Sequence, residues 1–172
     1  TFEYMAFYSS SVHTVNLSGS VISDRHGIYL AEALTYNSSL SHLVIRNNNF
    51  THVGISAFAE MLKRNTSLKI LDIYGHNSNI IGYKNMAKAL LLTKSLHTID
   101  MRSKDMNLFK IRPVLKVLRK NKVITELNGD AISFKHCEAE GLSVASESTC
   151  INILNKMDTQ LKLKPVKNKK KP

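Results

Sequence analysis

One recurrence limits what this chain can become. Val12, Leu40, Leu68, Leu96 and Ile124 stand 28 residues apart. Val15, Leu43, Leu71, Ile99 and Leu127 keep the same interval. Leu17, Ile45, Ile73 and Met101 keep it too, until Gly129 breaks the row. Three further rows follow in step: Leu30, Phe58, Met86 and Val114; Ala31, Ala59, Ala87 and Leu115; Leu34, Leu62, Leu90 and Leu118. The first set reads as a short strand, and the second recurs at helical spacing. One such strand–helix unit cannot bury its own apolar face, so units of the same length must stack against it.

Residues 40–67 form the most regular unit. Leu40, Leu43, Ile45, Asn48 and Phe50 satisfy L-x-x-L-x-L-x-x-N-x-L, and this pattern resembles the leucine-rich repeat. The period of 28, with a helical half ending A-x-x-L-x-x-N, resembles the ribonuclease-inhibitor-like subfamily. The resemblance covers roughly residues 12–128. It implies an α/β leucine-rich repeat solenoid of 28-residue strand–helix units, with a parallel sheet on the concave face and helices on the convex face. The subfamily includes the repeat regions of nucleotide-binding immune receptors, Ran GTPase activators and effectors of some intracellular bacteria. It therefore implies non-catalytic binding of a protein partner, as a regulator or as an effector in a host cell; small-GTPase regulation is an alternative. The fold alone does not choose the partner. The asparagine that normally bonds backbone groups in the bend is matched only by Asn48. Ser20, His76 and Lys104 stand in its row, and Asn77 lies one place late, so the third turn is expected to be re-routed.

The units divide the chain. Residues 1–11 are expected to cap the first strand or end a preceding repeat. Residues 12–149 form the repeat domain, about five units with the last degenerate. Residues 150–163 offer a capping element, and 164–172 a disordered basic tail. Helices are expected over 24–36 with Asp24 as N-cap, after Thr51, over 83–92, and over 108–120 with regular turns starting near Arg112, or a distorted first turn, because of Pro113. In the fifth unit Phe134 and Leu142 hold register, while Ser143 and Ser146 weaken the helix.

Composition narrows the setting. Of 172 residues, 43 % are hydrophobic. No run approaches the roughly 18 apolar residues of a spanning helix. No secretory leader is visible, and opening on Thr1 fits a processed form or a fragment. Two cysteines, Cys137 and Cys150, are too few for a disulfide scaffold. An intracellular, reduced, monomeric protein is expected, with one Cys137–Cys150 bridge as the alternative.

The outward strand positions give the candidate site. Arg46, Tyr74 and Arg102 share one row, Asp72 and Asp100 the row before it, and His42 an earlier one. Neighbouring strands lie ~4.8 Å apart, so the first three form a ladder. Tyr and Arg are enriched at binding hot spots, and solenoids bind through their inner curve. The competing reading is a solvated face whose charges pair across strands. Asp72 and Asp100 could share a proton or cation, but the flanking arginines favour ion pairing.

The net charge is +11. Lys116, Arg119, Lys120 and Lys122 form a basic patch in the fourth unit, which suggests nucleic acid or an anionic surface as an alternative partner. Stacking aromatics for nucleic acid are lacking there. Seven histidines are scattered, with no metal-ligand spacing, no Cys-x-x-Cys, no Gly-rich phosphate loop and no nucleophile elbow. No enzyme activity and no cofactor or metal is expected.

Overall fold

The structure is a computed structural model that describes residues 11–103, 108–118, 120–121, 123–127 and 130–131. The rows of the first set together place five short strands, one per unit: β1 (Thr14–Asn16), β2 (His42–Val44), β3 (Ile70–Asp72), β4 (Thr98–Asp100) and β5 (Glu126–Leu127). The rows of the second set together place one helix per unit: α1 (Asp24–Tyr36), α2 (His52–Leu62), α3 (Ile80–Leu92) and α4 (Leu108–Leu118). The five strands pair in parallel and in sequence order, with Val15, Leu43, Leu71, Ile99 and Leu127 aligned. Parallel strands joined by right-handed crossovers carry all their helices on one face. Accordingly each helix packs on the next, α1 on α2, α2 on α3 and α3 on α4. The result is a mixed, leucine-rich-repeat-like α/β fold.

The core lies between sheet and helices. Leu43, Leu71, Ile99 and Leu127 are fully buried, as are Phe58, Met86 and Val114 opposite them. At the β1 edge Val12, Val15 and Leu17 are only partly buried.

Two rows of polar side chains tie unit to unit. Asn37, Asn65, Thr93 and Asn121 stand 28 apart at the helix C-termini, and all four are buried. Asn65 Nδ2 donates to the carbonyls of Leu34 (2.7 Å) and Asn37 (3.0 Å) in the unit before. Its Oδ1 accepts the N–H groups of Ser67 (3.0 Å) and Leu68 (2.7 Å). Asn121 does the same two units further on, reaching Leu90 and Thr93. A helix end has carbonyls without intrahelical partners, and this row supplies donors to them.

The second row is at the strand exits. Asn48 Nδ2 donates to Leu17 O and Ile45 O, both at 2.9 Å. His76 stands in its row, 3 % exposed, with Nε2 2.9 Å from Ile45 O and Nδ1 3.1 Å from Asn48 O. The imidazole therefore does the asparagine's work toward the preceding unit, and it stacks on Phe50 at 4.5 Å. The third turn is held by His76, not by Asn77.

Several expectations are corrected. The N-cap of α1 is Ser23, whose N–H points at His26 Nδ1. Asp24 instead caps α2: its carboxylate accepts Thr51 N–H (2.8 Å), Thr51 Oγ1 (2.6 Å) and Gly54 N–H (2.8 Å). Burial pulls its pKa up, but the bonds from Thr51 and Gly54 outweigh this and hold it below the ordinary value. Helix α3 starts at Ile80, not near Tyr83, because Asn79 Oδ1 accepts Ile81 N–H at 2.9 Å. Helix α4 runs through Pro113 from Leu108. An internal proline costs about 3 kcal/mol. Burying Ile111, Val114, Leu115 and Leu118 returns roughly 1.5–3 kcal/mol each, so the helix persists.

The fifth unit does not continue in parallel. β6 (Asp130–Ala131) pairs antiparallel with β5, Leu127 opposite Asp130. The two residues between them are Asn128–Gly129, the dipeptide favoured in two-residue hairpins. The expected segment 1–10, the degenerate helix with Phe134, Leu142, Ser143 and Ser146, Cys137 and Cys150, the capping element 150–163 and the tail 164–172 lie outside the described residues.

Candidate functional site

The sheet ladder runs past the formal strand ends, and this builds the site. Ile45 N–H donates to Asp72 O at 2.9 Å and Ile73 N–H to Asp100 O at 2.8 Å. One rung later Asn47 N–H donates to Tyr74 O and Gly75 N–H to Arg102 O, both at 2.8 Å. Arg46, Tyr74 and Arg102 are therefore fixed side by side on one rung. The chain then leaves the sheet through left-handed residues, again in one row: Gly19 (φ 65°), Asn47 (φ 50°) and Gly75 (φ 84°). At Gly75 the positive φ strains any L residue, and a Cβ would sit 2.0 Å from Asn47 Oδ1, so that side chain would have to move.

One rung earlier, Asp72 and Asp100 are 6 % and 7 % exposed. A carboxylate so placed needs compensation. Arg46 bonds Asp72 Oδ2 through Nε and a terminal nitrogen. Arg102 grips Asp100 in fork geometry, Nε to Oδ1 at 3.0 Å and a terminal nitrogen to Oδ2 at 2.5 Å. Each aspartate also accepts a backbone N–H, from Tyr74 and Arg102 respectively, at 3.2 Å. The bond to Asp72 raises the pKa of Arg46, and the bond to Asp100 that of Arg102. Held this way, the guanidinium carbons lie 5.9 Å (Arg46) and 5.3 Å (Arg102) from the Tyr74 ring centroid, one on each side. Tyr74 is 37 % exposed.

The side chains of this rung are thus held in place by one another. Both carboxylates are committed to arginines. Among the described residues no group of three or more His, Cys, Asp or Glu could hold a metal ion. His42 lies on the same sheet face but is not joined to the set; its Nδ1 is 2.7 Å from Ser41 Oγ.

Of the expected basic patch, Lys116 and Lys120 are exposed on and just beyond α4, while Arg119 and Lys122 lie outside the described residues. Sequence reasoning missed the neighbours α3 brings to it. Lys84 and Lys88 stand 28 before Arg112 and Lys116, and all four are exposed. The same register that revealed the strands carries that signal.

No helix among the described residues is long and apolar enough to cross a membrane. No family model matches the chain, and no curated protein matches it. Solved structures do. The Leiomodin-1 Actin-Binding Site 2 is 20 % identical, with a TM-score of 0.70 over 93 % of this chain and 89 % of that one. The tropomodulin C-terminal domain of Caenorhabditis elegans is 15 % identical, with a TM-score of 0.67 over 90 % and 95 %. At this identity the likeness shows the fold, a leucine-rich-repeat-like α/β domain.

Proposed function

We propose that this protein is a non-catalytic protein-binding module that takes its partner on the sheet face, at the rung of Arg46, Tyr74 and Arg102. In this reading the units are 28-residue leucine-rich repeats of the ribonuclease-inhibitor-like kind, and the sheet face is the concave side of a short intracellular solenoid. The observation that carries it is the half-exposed Tyr74 ring fixed between two guanidinium groups, each anchored by a near-buried aspartate. Ordering those side chains in advance removes part of the entropy that binding otherwise loses. Asp72 and Asp100 support the site from below, and His42 lies at its margin.

The leiomodin-1 structure is titled as an actin-binding site, so actin is the first partner to assay. The test titrates labelled actin, and then any partner recovered by proximity labelling, against the wild type, Tyr74→Ala and the Arg46→Ala/Tyr74→Ala/Arg102→Ala variant. Hot-spot side chains are worth roughly 2 kcal/mol or more. Tyr74→Ala is expected to weaken binding about 30-fold and the triple variant to abolish it. Tyr74→Ala leaves both ion pairs intact, so it separates recognition from stability. Unchanged affinity in both variants, with the fold intact, would remove this face from the account.

A further inference from the structure

The outward surface of the helices has its own pattern. The second residue of each helix forms a row, Arg25, Val53, Ile81 and Phe109, at 28-residue spacing. Its last three members are apolar and exposed: Val53 44 %, Ile81 48 % and Phe109 72 %. Three and seven residues further along the same helix face come the next rows. On α3 they are Lys84 and Lys88, and on α4 Arg112 and Lys116, with Leu92 and Lys120 one turn beyond. All six are exposed. Neither α3 nor α4 contains an Asp or Glu. None of Lys84, Lys88, Arg112, Lys116 and Lys120 enters an ion pair among the described residues. In the row of Lys88 and Lys116, α1 and α2 carry Glu32 and Glu60, and with only Arg25 and Arg64 exposed in the other rows the positive charge is concentrated on the α3–α4 half.

We infer that the outward face of α3 and α4 docks this protein on an anionic lipid bilayer, with Ile81 and Phe109 entering the interface and the five cations meeting headgroups. Cations alone would suit any polyanion. The apolar row decides between them: exposed aliphatic and aromatic side chains at one end of a basic helix face are what an interfacial surface requires, and phosphodiester backbones give them nothing to enter. A nucleic acid would need stacking platforms, and Phe109 is the sole aromatic of this half-surface among the described residues. An acidic helix would need a groove. A groove of about 220 Å³ between α1 and α2 is lined by Glu32 and Glu60 with Arg64 as its one cation, a net negative lining that does not favour an acidic helix. The face lies opposite the Tyr74 rung, so a docked protein keeps its recognition surface toward solvent.

The test sediments the full chain with phosphatidylcholine vesicles, with and without phosphatidylserine. Each cation near such a surface contributes about five-fold. Lys88→Gln with Lys116→Gln is therefore expected to weaken binding roughly 30-fold. Phe109→Ala is expected to weaken it about ten-fold, the loss of one aromatic ring from the interface. Phe109→Trp is expected to shift its fluorescence to the blue on phosphatidylserine vesicles. Binding that ignores phosphatidylserine overturns the inference. So does binding unmoved by both sets of substitutions, which would place the contact in the C-terminal lysines. So does a Phe109→Trp emission that stays unshifted while DNA or polyglutamate competes for the same cations. None of these results bears on Tyr74, so the sheet-face reading stands or falls separately.

Discussion

Asn65→Ala is the substitution whose effect can be worked most completely. Asn65 is 4 % exposed and makes four bonds with backbone groups, two into its own unit and two into the one before. A net hydrogen bond contributes about 1 kcal/mol, and a buried group left unpaired costs about 1–3 kcal/mol. Alanine removes all four bonds and admits no replacement donor, so the loss is about 4 kcal/mol. Domains of this size are stable by roughly 5–15 kcal/mol, so the change is a large share of the total. With a urea m-value of about 2 kcal/mol/M, the midpoint should fall by about 2 M. Urea titration followed by far-UV circular dichroism reads this directly. Asn65→Asp sharpens the test. It keeps the acceptor for Ser67 and Leu68 but turns a second oxygen toward the carbonyls of Leu34 and Asn37. That placement raises the folded pKa of the new carboxyl. The destabilisation is then present at neutral pH and relieved as pH falls through the folded value. A loss under about 1 kcal/mol for Asn65→Ala would refute the idea that this row clamps unit to unit.

The same reasoning extends to other positions. Thr93 occupies the row with nearly the cap backbone of Asn37, φ −60° and ψ 140° against φ −73° and ψ 131°. Thr93→Asn should restore two donations and raise stability by about 1 kcal/mol in the same titration. Burial holds the His76 pKa below 6.5, although the carbonyls of Ile45 and Asn48 pull it up. A depressed histidine pKa gives stability that is full above the unfolded value of 6.5 and lost as pH falls toward the folded one. His76→Asn should erase that part of the pH dependence, seen as a flatter unfolding free energy from neutral pH downward. Asp24→Ala should cost about 1–2 kcal/mol by uncapping α2 from the neighbouring unit. The Asp24 pKa is depressed, so the difference from wild type is full above pH 3.8 and shrinks as pH falls through the lower folded value.

What could be read from the sequence was what repeats at fixed spacing. Leu43, Leu71 and Ile99 announce the strands because burial leaves little choice of residue type there. Phe58, Met86 and Val114 announce the helices for the same reason. The polar devices were harder. Asp24 has the composition of a local cap, but its partners Thr51 and Gly54 lie a full unit away, and local reading assigns a cap only to its own helix. His76 broke the asparagine pattern and was read as a loss, because a consensus records residue type and not which donors reach which carbonyls. The row of Asn37, Asn65 and Asn121 was present at the same interval as the leucines. So was the Asn128–Gly129 dipeptide, whose glycine reads in that register only as a missing apolar residue. For the site, the register placed Arg46, Tyr74 and Arg102 on one rung. It could not show that each arginine is held by an aspartate and turned against the ring. Lys84 and Lys88 lie a full unit from Arg112 and Lys116 along the chain, so only the packing of α3 against α4 joins them into one patch.

The account centres on the Tyr74 rung as the place where a partner sits. The direct measurement puts the photo-crosslinker benzoylphenylalanine at Tyr74 in one sample and at Tyr36, exposed at the end of α1, in another. Both are irradiated with the bound partner, and the adducts are sequenced by mass spectrometry. Adducts from position 74 that disappear when Arg46 and Arg102 are replaced, with none from position 36, are the predicted result. Adducts from position 36 and none from position 74 would contradict it.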